Sequence, residues 1–190
     1  MPSDFARALA ATAVEQYDQF HELSESDPPL ATQIKKYWTS LGMGFPGVRT
    51  AWSAVFVSSC VKSAGASKSE FVFAAAHSKF VNAAIKNALN RTGVFRAFEV
   101  DQVSPQVGDI IQNNRNGKSV TYAFARTHSA YESHSAIVVQ VGADHDGHFA
   151  MTIGGNESDS IRRKRVALDD EGRIVQRTMN PYICVIQNLK

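Results

Sequence analysis

The sequence predicts an α+β fold in which helices come first and an antiparallel sheet follows. Apolar residues recur at helical spacing up to about residue 90, and they alternate with a period of two beyond residue 100. Turns rich in Gly, Asp and Asn separate the strand-like segments of the second half. This order is typical of α+β proteins and not of alternating parallel folds.

Length and composition favour one globular domain over residues 1–190. The chain has 190 residues, of which 44% are hydrophobic and 20% are charged, and a domain typically has about 100–200 residues. Within it we expect an N-terminal helical part over residues 1–45, two helices over 46–95 and the sheet over 100–190. The sequence contains no internal repeat that would suggest another organisation.

Four helices are predicted in the first half of the chain. They cover residues 3–23, 30–41, 52–64 and about 70–90. The third has Thr50 as its expected N-cap and Gly65 as its expected C-terminal cap. The fourth carries His77 on its apolar stripe, which predicts that this histidine faces the core.

Six strand-like segments follow the helices. They cover residues 108–112, 135–141, 148–153, 161–168, 173–177 and 182–187. The second and third of these are predicted to form a hairpin that turns over residues 143–147, with His145 at its centre.

Charge patterning does not favour nucleic acid as a partner. The formal net charge is +2 and the only notable basic run is Arg162–Arg165. This run lies in a strand-like segment, so we interpret it as a solvated strand face, with contact to an anionic polymer such as cell wall as the alternative.

Hydropathy and cysteine content exclude further classes. No segment approaches the ~18 consecutive apolar residues of a membrane span, and Asp4 and Glu15 interrupt the region where a signal peptide would be apolar. We therefore expect a soluble protein without a signal peptide. Cys60 and Cys184 lie in apolar runs without metal-ligand spacing, so buried free thiols and no metal or cofactor are expected.

Ser53 is the candidate nucleophile. Hydrolysis of an amide by a side chain needs a nucleophile, a base within hydrogen-bonding reach and a group that orients the base. Ser53 lies in the first turn of the third predicted helix, where backbone N–H groups and the helix dipole favour an anion on the substrate oxygen. The alternative is that Ser53 only caps the helix.

His134 is the candidate base and Asn156 its candidate orienting group. His134 opens a predicted strand, and the register of the predicted hairpin places Asn156 opposite it. The alternative is that Asn156 serves only the turn after Gly154 and Gly155. His128 is a second candidate base, although its neighbours show no strand pattern.

Two other histidine positions have competing interpretations. His77 is either a core histidine or a group that binds substrate or supports the site, since its helix should pack near Ser53. The segment His145–His148 has a crude metal-ligand pattern, but an Asp-Gly pair is expected in a hairpin turn for backbone reasons. We expect no metal site there.

Four motifs resemble those of CHAP and NlpC-type cell-wall hydrolases. Trp52–Val57 is similar to their W-C-A-x-F-V helix start, Gly108–Ile110 to their first sheet strand, His134–Val138 to their G-H-x-A-I-V strand, and Gly154–Asp159 to the G-G-N-x-S-D segment of phage-endolysin relatives. Ser53 replaces the usual cysteine and Ser133 the usual glycine. The serine, with the F-x-x-A-H segment that ends at His77, resembles most closely the bacterial domain family of unknown function 2272.

The resemblance implies a papain-like fold, with N-terminal helices packed on a five- to six-stranded antiparallel sheet. It also implies cleavage of an amide bond in peptidoglycan, in the stem peptide or at its link to muramic acid. Ser53 would form the acyl-enzyme, His134 would transfer the proton and Asn156 would orient His134. We expect Trp52 and His77 to contact the substrate.

The serine at position 53 leaves three explanations open: a working serine hydrolase, a natural pseudoenzyme that only binds the wall, or a cysteine mutated to inactivate the protein. A hydroxyl depends more than a thiol on its base and oxyanion hole. An enzyme without a signal peptide would need a lysis system or a contact-dependent secretion apparatus to reach the wall, and the latter would imply an immunity protein as partner.

Overall fold

The computed structural model describes residues 1–190 and confirms the predicted α+β class. Its helices are α1 (Asp4–Phe20), α2 (Pro28–Ser40), α3 (Ser53–Ser63), α4 (His77–Asn90) and α5 (Tyr122–Thr127). Its strands are β1 (Phe95–Phe98), β2 (Ile110–Asn113), β3 (His134–Asp144), β4 (Gly147–Glu157), β5 (Ser160–Ala167) and β6 (Tyr182–Asn188). No helix combines the length and apolar character that crossing a membrane requires.

The six strands form one antiparallel sheet in the order β1-β6-β2-β3-β4-β5. Strands β3 and β4 form the predicted hairpin, with His145 and Asp146 between the paired residues Asp144 and Gly147. The β3–β4 pairing begins at this turn and ends at Ile137 opposite Ile153. The last residues of β4 are therefore free of β3 and pair only with β5.

Helix α3 is the central helix of the core. Nine consecutive residues, from Ser53 to Val61, are buried. They are apolar or small around the whole circumference of the helix, which allows other elements to cover it on all sides. Gly65 follows the end of the helix with a φ of +105°. The next residue, Ala66, donates its N–H to the Val61 carbonyl, so Gly65 forms the expected glycine cap.

Tertiary contacts shift helix α4 from its predicted start. It begins at His77, because the preceding segment is held by α3: Ser58 Oγ donates to the Ala74 carbonyl and accepts from the Ala74 N–H, both at 3.1 Å. His77 is therefore the first residue of α4 and not a residue of its middle.

Three short elements differ from the prediction. The expected strand over 173–177 makes only one isolated bridge, between Leu168 and Ile174. Strand β1 and helix α5 were not expected. They contain four and six residues, too few to generate a periodic pattern in the sequence.

The contact between α3 and β4 is tight enough to test. A Cβ atom at Gly155 would lie 2.6 Å from both Phe56 Cγ and Trp52 Cζ3. Gly155→Ala should therefore lower the free energy of unfolding by about 1–3 kcal/mol, a typical cost of overpacking a core. Urea denaturation measures the change.

Gly44→Ala is the matched control, because a Cβ atom there meets nothing within 4 Å and its φ is not positive. A Gly155→Ala protein as stable as Gly44→Ala would show that α3 and β4 can separate at no cost.

Candidate active site

Ser53 lies at the start of α3 and points towards a histidine. Its Oγ is 2.7 Å from Nε2 of His77, within hydrogen-bonding distance. The residue in the N-cap position is Trp52, and no side chain caps the helix. The Ser53 hydroxyl is therefore committed to His77 and not to capping, while the unpaired N–H groups of the first turn lie beside it.

His77 is held in its neutral form. The residue is only 6% exposed, and burial lowers its pKa well below the usual 6.5, helped by the nearby His134 and Arg115. A neutral imidazole can accept a proton from a hydroxyl. Its other nitrogen, Nδ1, is buried without a hydrogen-bond partner, so no side chain orients this ring as the acid does in a catalytic triad.

A second histidine forms an acid–imidazole pair next to the first. His134 Nε2 lies 2.8 Å from Glu157 Oε1, and Glu157 also forms an ion pair with Lys164. Burial alone would raise the pKa of Glu157, but its contacts with His134 and Lys164 outweigh burial and lower the pKa below its usual value. Glu157 is therefore a buried carboxylate with two cationic or hydrogen-bonding partners.

The two pairs are in contact. The rings of His77 and His134 lie edge to face, with centroids 5.4 Å apart. Ser53, His77, His134 and Glu157 thus follow one another in a continuous buried chain of side chains. Ser53 is 2% exposed and His134 is 9% exposed.

Two glycines of β4 make room for this chain. A Cβ atom at Gly154 would overlap the Glu157 carboxylate and lie 2.8 Å from His134 Nε2. Gly155 allows β4 to approach the start of α3, as described above. A side chain at Gly154 would therefore displace Glu157 or His134, and a side chain at Gly155 would push β4 away from α3.

The predicted hydrogen bonds of His134 are not made. No hydrogen bond joins Ser53 to His134, since the Ser53 hydroxyl is bonded to His77 and His134 Nε2 is bonded to Glu157. His77 is buried, as expected for a core histidine, and it is also the hydrogen-bond partner of the candidate nucleophile.

The orienting group also differs from the prediction. A bulge between Gly155 and Glu157 inserts Asn156 with a φ of +55°, and a bulge changes which side chain points to a given face. Because β3–β4 pairing has already ended, Glu157 takes the place at His134 that simple hairpin counting gave to Asn156.

Trp52 does not offer a substrate-binding surface. Its ring is fully buried against Tyr37 and Phe56, and its Nε1 donates to Glu25 at 2.9 Å. Trp52 therefore fixes the segment before Ser53 in the core, which corrects the expected contact with substrate.

Two other histidines, His128 and His145, lie apart from this chain of side chains. His128 is exposed at the end of α5 and stacks on Phe124. His145 lies in the exposed β3–β4 turn between two aspartates, one of which, Asp144, is occupied by a bidentate contact with Arg165.

The family model described as "Uncharacterized protein conserved in bacteria (DUF2272)" matches residues 22–185. The chain belongs to this family. No curated protein and no solved structure matches it. The DUF2272 match includes Ser53, His77, His134 and Glu157, whereas α1 lies outside it.

The neutral state of His77 is directly measurable. Because burial, His134 and Arg115 all oppose a positive charge on this ring, we expect its NMR titration midpoint to lie below pH 6.5. Assignment by comparison with His77→Gln identifies the signal. A midpoint at or above 6.5 would contradict the buried, neutral state.

Proposed function

We propose that the chain hydrolyses an amide bond in peptidoglycan through an acyl-enzyme on Ser53. The hydrogen bond between Ser53 Oγ and a neutral, buried His77 carries the proposal, because this pair is the minimum needed to activate a hydroxyl. The choice of peptidoglycan, and of a papain-like fold, comes from the resemblance of the four sequence motifs to CHAP and NlpC-type hydrolases.

In the first step, His77 Nε2 accepts the Ser53 proton as Oγ attacks the carbonyl carbon. The N–H groups of the first turn of α3 stabilise the oxyanion. His77 then returns the proton to the leaving amine, and the amide C–N bond breaks. A water molecule, deprotonated by the same nitrogen, then attacks the ester carbonyl. The ester C–O bond breaks, His77 returns the proton to Ser53 Oγ, and the carboxylic acid is released.

His134 packs edge to face against this base, and Glu157 holds His134 in place. Protonated His77 would be costly in a buried site, and the Glu157 carboxylate lies beyond His134 in the same chain of side chains. We therefore assign His134 a positioning role, in place of the role of base that the motif resemblance implies for it.

A binding module without turnover is the second candidate function. It is favoured by the burial of Ser53, which is 2% exposed, so that a substrate carbonyl can reach Oγ only after neighbouring segments open. In either case the place of action would be the cell wall, reached through a lysis system or a secretion apparatus, with an immunity protein as a partner in the latter.

Substitution of Ser53 tests the chemistry. Ser53→Ala should abolish release of fragments from purified peptidoglycan, measured by mass spectrometry, while unfolding free energy falls by only about 1–3 kcal/mol through the unpaired His77. Ser53→Cys should retain measurable hydrolysis, since it presents a thiol to the same base.

Inactivity of the wild type beside an active Ser53→Cys protein would mark the serine as a disabling replacement. If both proteins bind the wall without cleaving it, the binding module replaces the enzyme.

Paired histidine variants separate the base from its support. His77→Gln should lower kcat by about 10²–10⁴-fold, the usual contribution of a general base, and His134→Gln should lower kcat less.

In the wild type, kcat/KM should fall on acidification only below pH 6.5, because the pKa of His77 is depressed. A larger loss in His134→Gln would return the role of base to His134.

A further inference from the structure

A polar depression opens beside His134 and Glu157, at the edge of the proposed active site. It has a volume of about 470 Å³, and Met179 is its one hydrophobic lining residue. Its charged lining consists of Arg115, Lys164, Arg177 and Glu157, and several asparagines provide amide groups. We call this space the basic depression.

The basic depression has more positive than negative side chains in its lining. Glu157, its one acid, is already bonded to His134 and Lys164. Arg115 is half-buried, and its guanidinium forms no hydrogen bond or ion pair. An unpaired, partly desolvated guanidinium is expensive unless an anion joins it.

Arg177 is positioned to assist. Its Nε donates to the Asn180 carbonyl at 3.0 Å, and its guanidinium carbon lies 4.4 Å from the centre of the Tyr182 ring. These contacts hold the guanidinium plane at the rim of the depression while its two terminal nitrogens are free of partners. A preorganised guanidinium loses less entropy when it binds an anion.

We propose that the basic depression is a subsite for a free carboxylate of the peptide substrate, bound by Arg115 and Arg177. This inference rests on the proposed peptidoglycan activity. A planar carboxylate accepts two parallel hydrogen bonds from a guanidinium, and the asparagine amides add donors. The stem peptide of peptidoglycan carries such carboxylates near its amide bonds, whereas a neutral sugar would call for apolar or aromatic lining.

The same contact links substrate recognition to the base. Arg115 is one of the groups that lower the pKa of His77. A carboxylate bound to Arg115 offsets its positive charge, so the pKa of His77 should rise when the substrate is in place. A purely structural role of Arg115 predicts no such change on binding.

Binding to Ser53→Ala protein tests the subsite without turnover. Calorimetry compares a synthetic stem peptide with free carboxylates against the same peptide with every carboxylate amidated. We expect the free acid to bind at least about tenfold tighter, and Arg115→Met to remove that preference. Arg115→Lys should give an intermediate affinity, because lysine keeps the positive charge but cannot donate two parallel hydrogen bonds to the carboxylate.

Arg173→Met is the matched control, because Arg173 is an exposed arginine outside the basic depression and its side chain forms no hydrogen bond. It should bind both peptides as the parent does. The His77 NMR midpoint should rise on addition of the free acid and not on addition of the amidated peptide. Thermal unfolding checks that each variant is folded. If Arg115→Met does not fold, Arg177→Met tests the same subsite.

Equal affinity for the two peptides, or an equal loss in Arg173→Met, would overturn the subsite. Its failure is separable from that of the proposed activity. Wild-type protein that cleaves peptidoglycan without preferring the free acid refutes the subsite alone. Ser53→Ala protein that prefers the free acid, beside a wild type that cleaves nothing, leaves the subsite standing within a binding module.

Discussion

Strand β4 approaches helix α3 at Gly155, where any side chain would collide with Phe56 and Trp52. This contact sets the distance between the helix that carries Ser53 and the sheet that carries His134. Because Gly154 also lacks a side chain, Glu157 can fold back over the strand and reach His134. The geometry of the site thus depends on two adjacent residues that contribute no functional group of their own.

Burial governs the chemistry that these groups can perform. A hydroxyl, two imidazoles and a carboxylate lie within the core, where each unpaired polar atom is costly. The carboxylate is stabilised as an anion by His134 and Lys164, while His77 is kept neutral. Neighbouring groups with perturbed pKa values are typical of functional sites, and a packing role alone would be served by apolar side chains.

The sequence predicted the α+β order, the helix with Ser53 in its first turn, the β3–β4 hairpin and the family of unknown function 2272. These features have local or strongly periodic signals. The expected N-cap Thr50 was wrong, since Trp52 occupies the N-cap position of α3. The sequence did not predict the partner of Ser53, because the start of α4 depends on the bonds between Ser58 and Ala74, which join residues far apart in the chain. The role of Glu157 was missed because counting along β4 assumed that its side chains alternate strictly between the two faces, which the bulge between Gly155 and Glu157 interrupts. The Gly-Gly pair before it was the available signal, since adjacent glycines in a strand indicate close approach by another group.

The Nδ1 nitrogen of His77 is buried and has no hydrogen-bond partner. When Nε2 accepts the Ser53 hydroxyl, the ring's one hydrogen must sit on Nδ1, where nothing receives it. The tautomer is then chosen by the serine alone, and the imidazole is tethered at one end. A group that arrives with an acceptor for Nδ1–H would complete the missing contact and lock the ring in place. The unsatisfied N–H of this buried nitrogen leaves one end of the ring free to bind an acceptor.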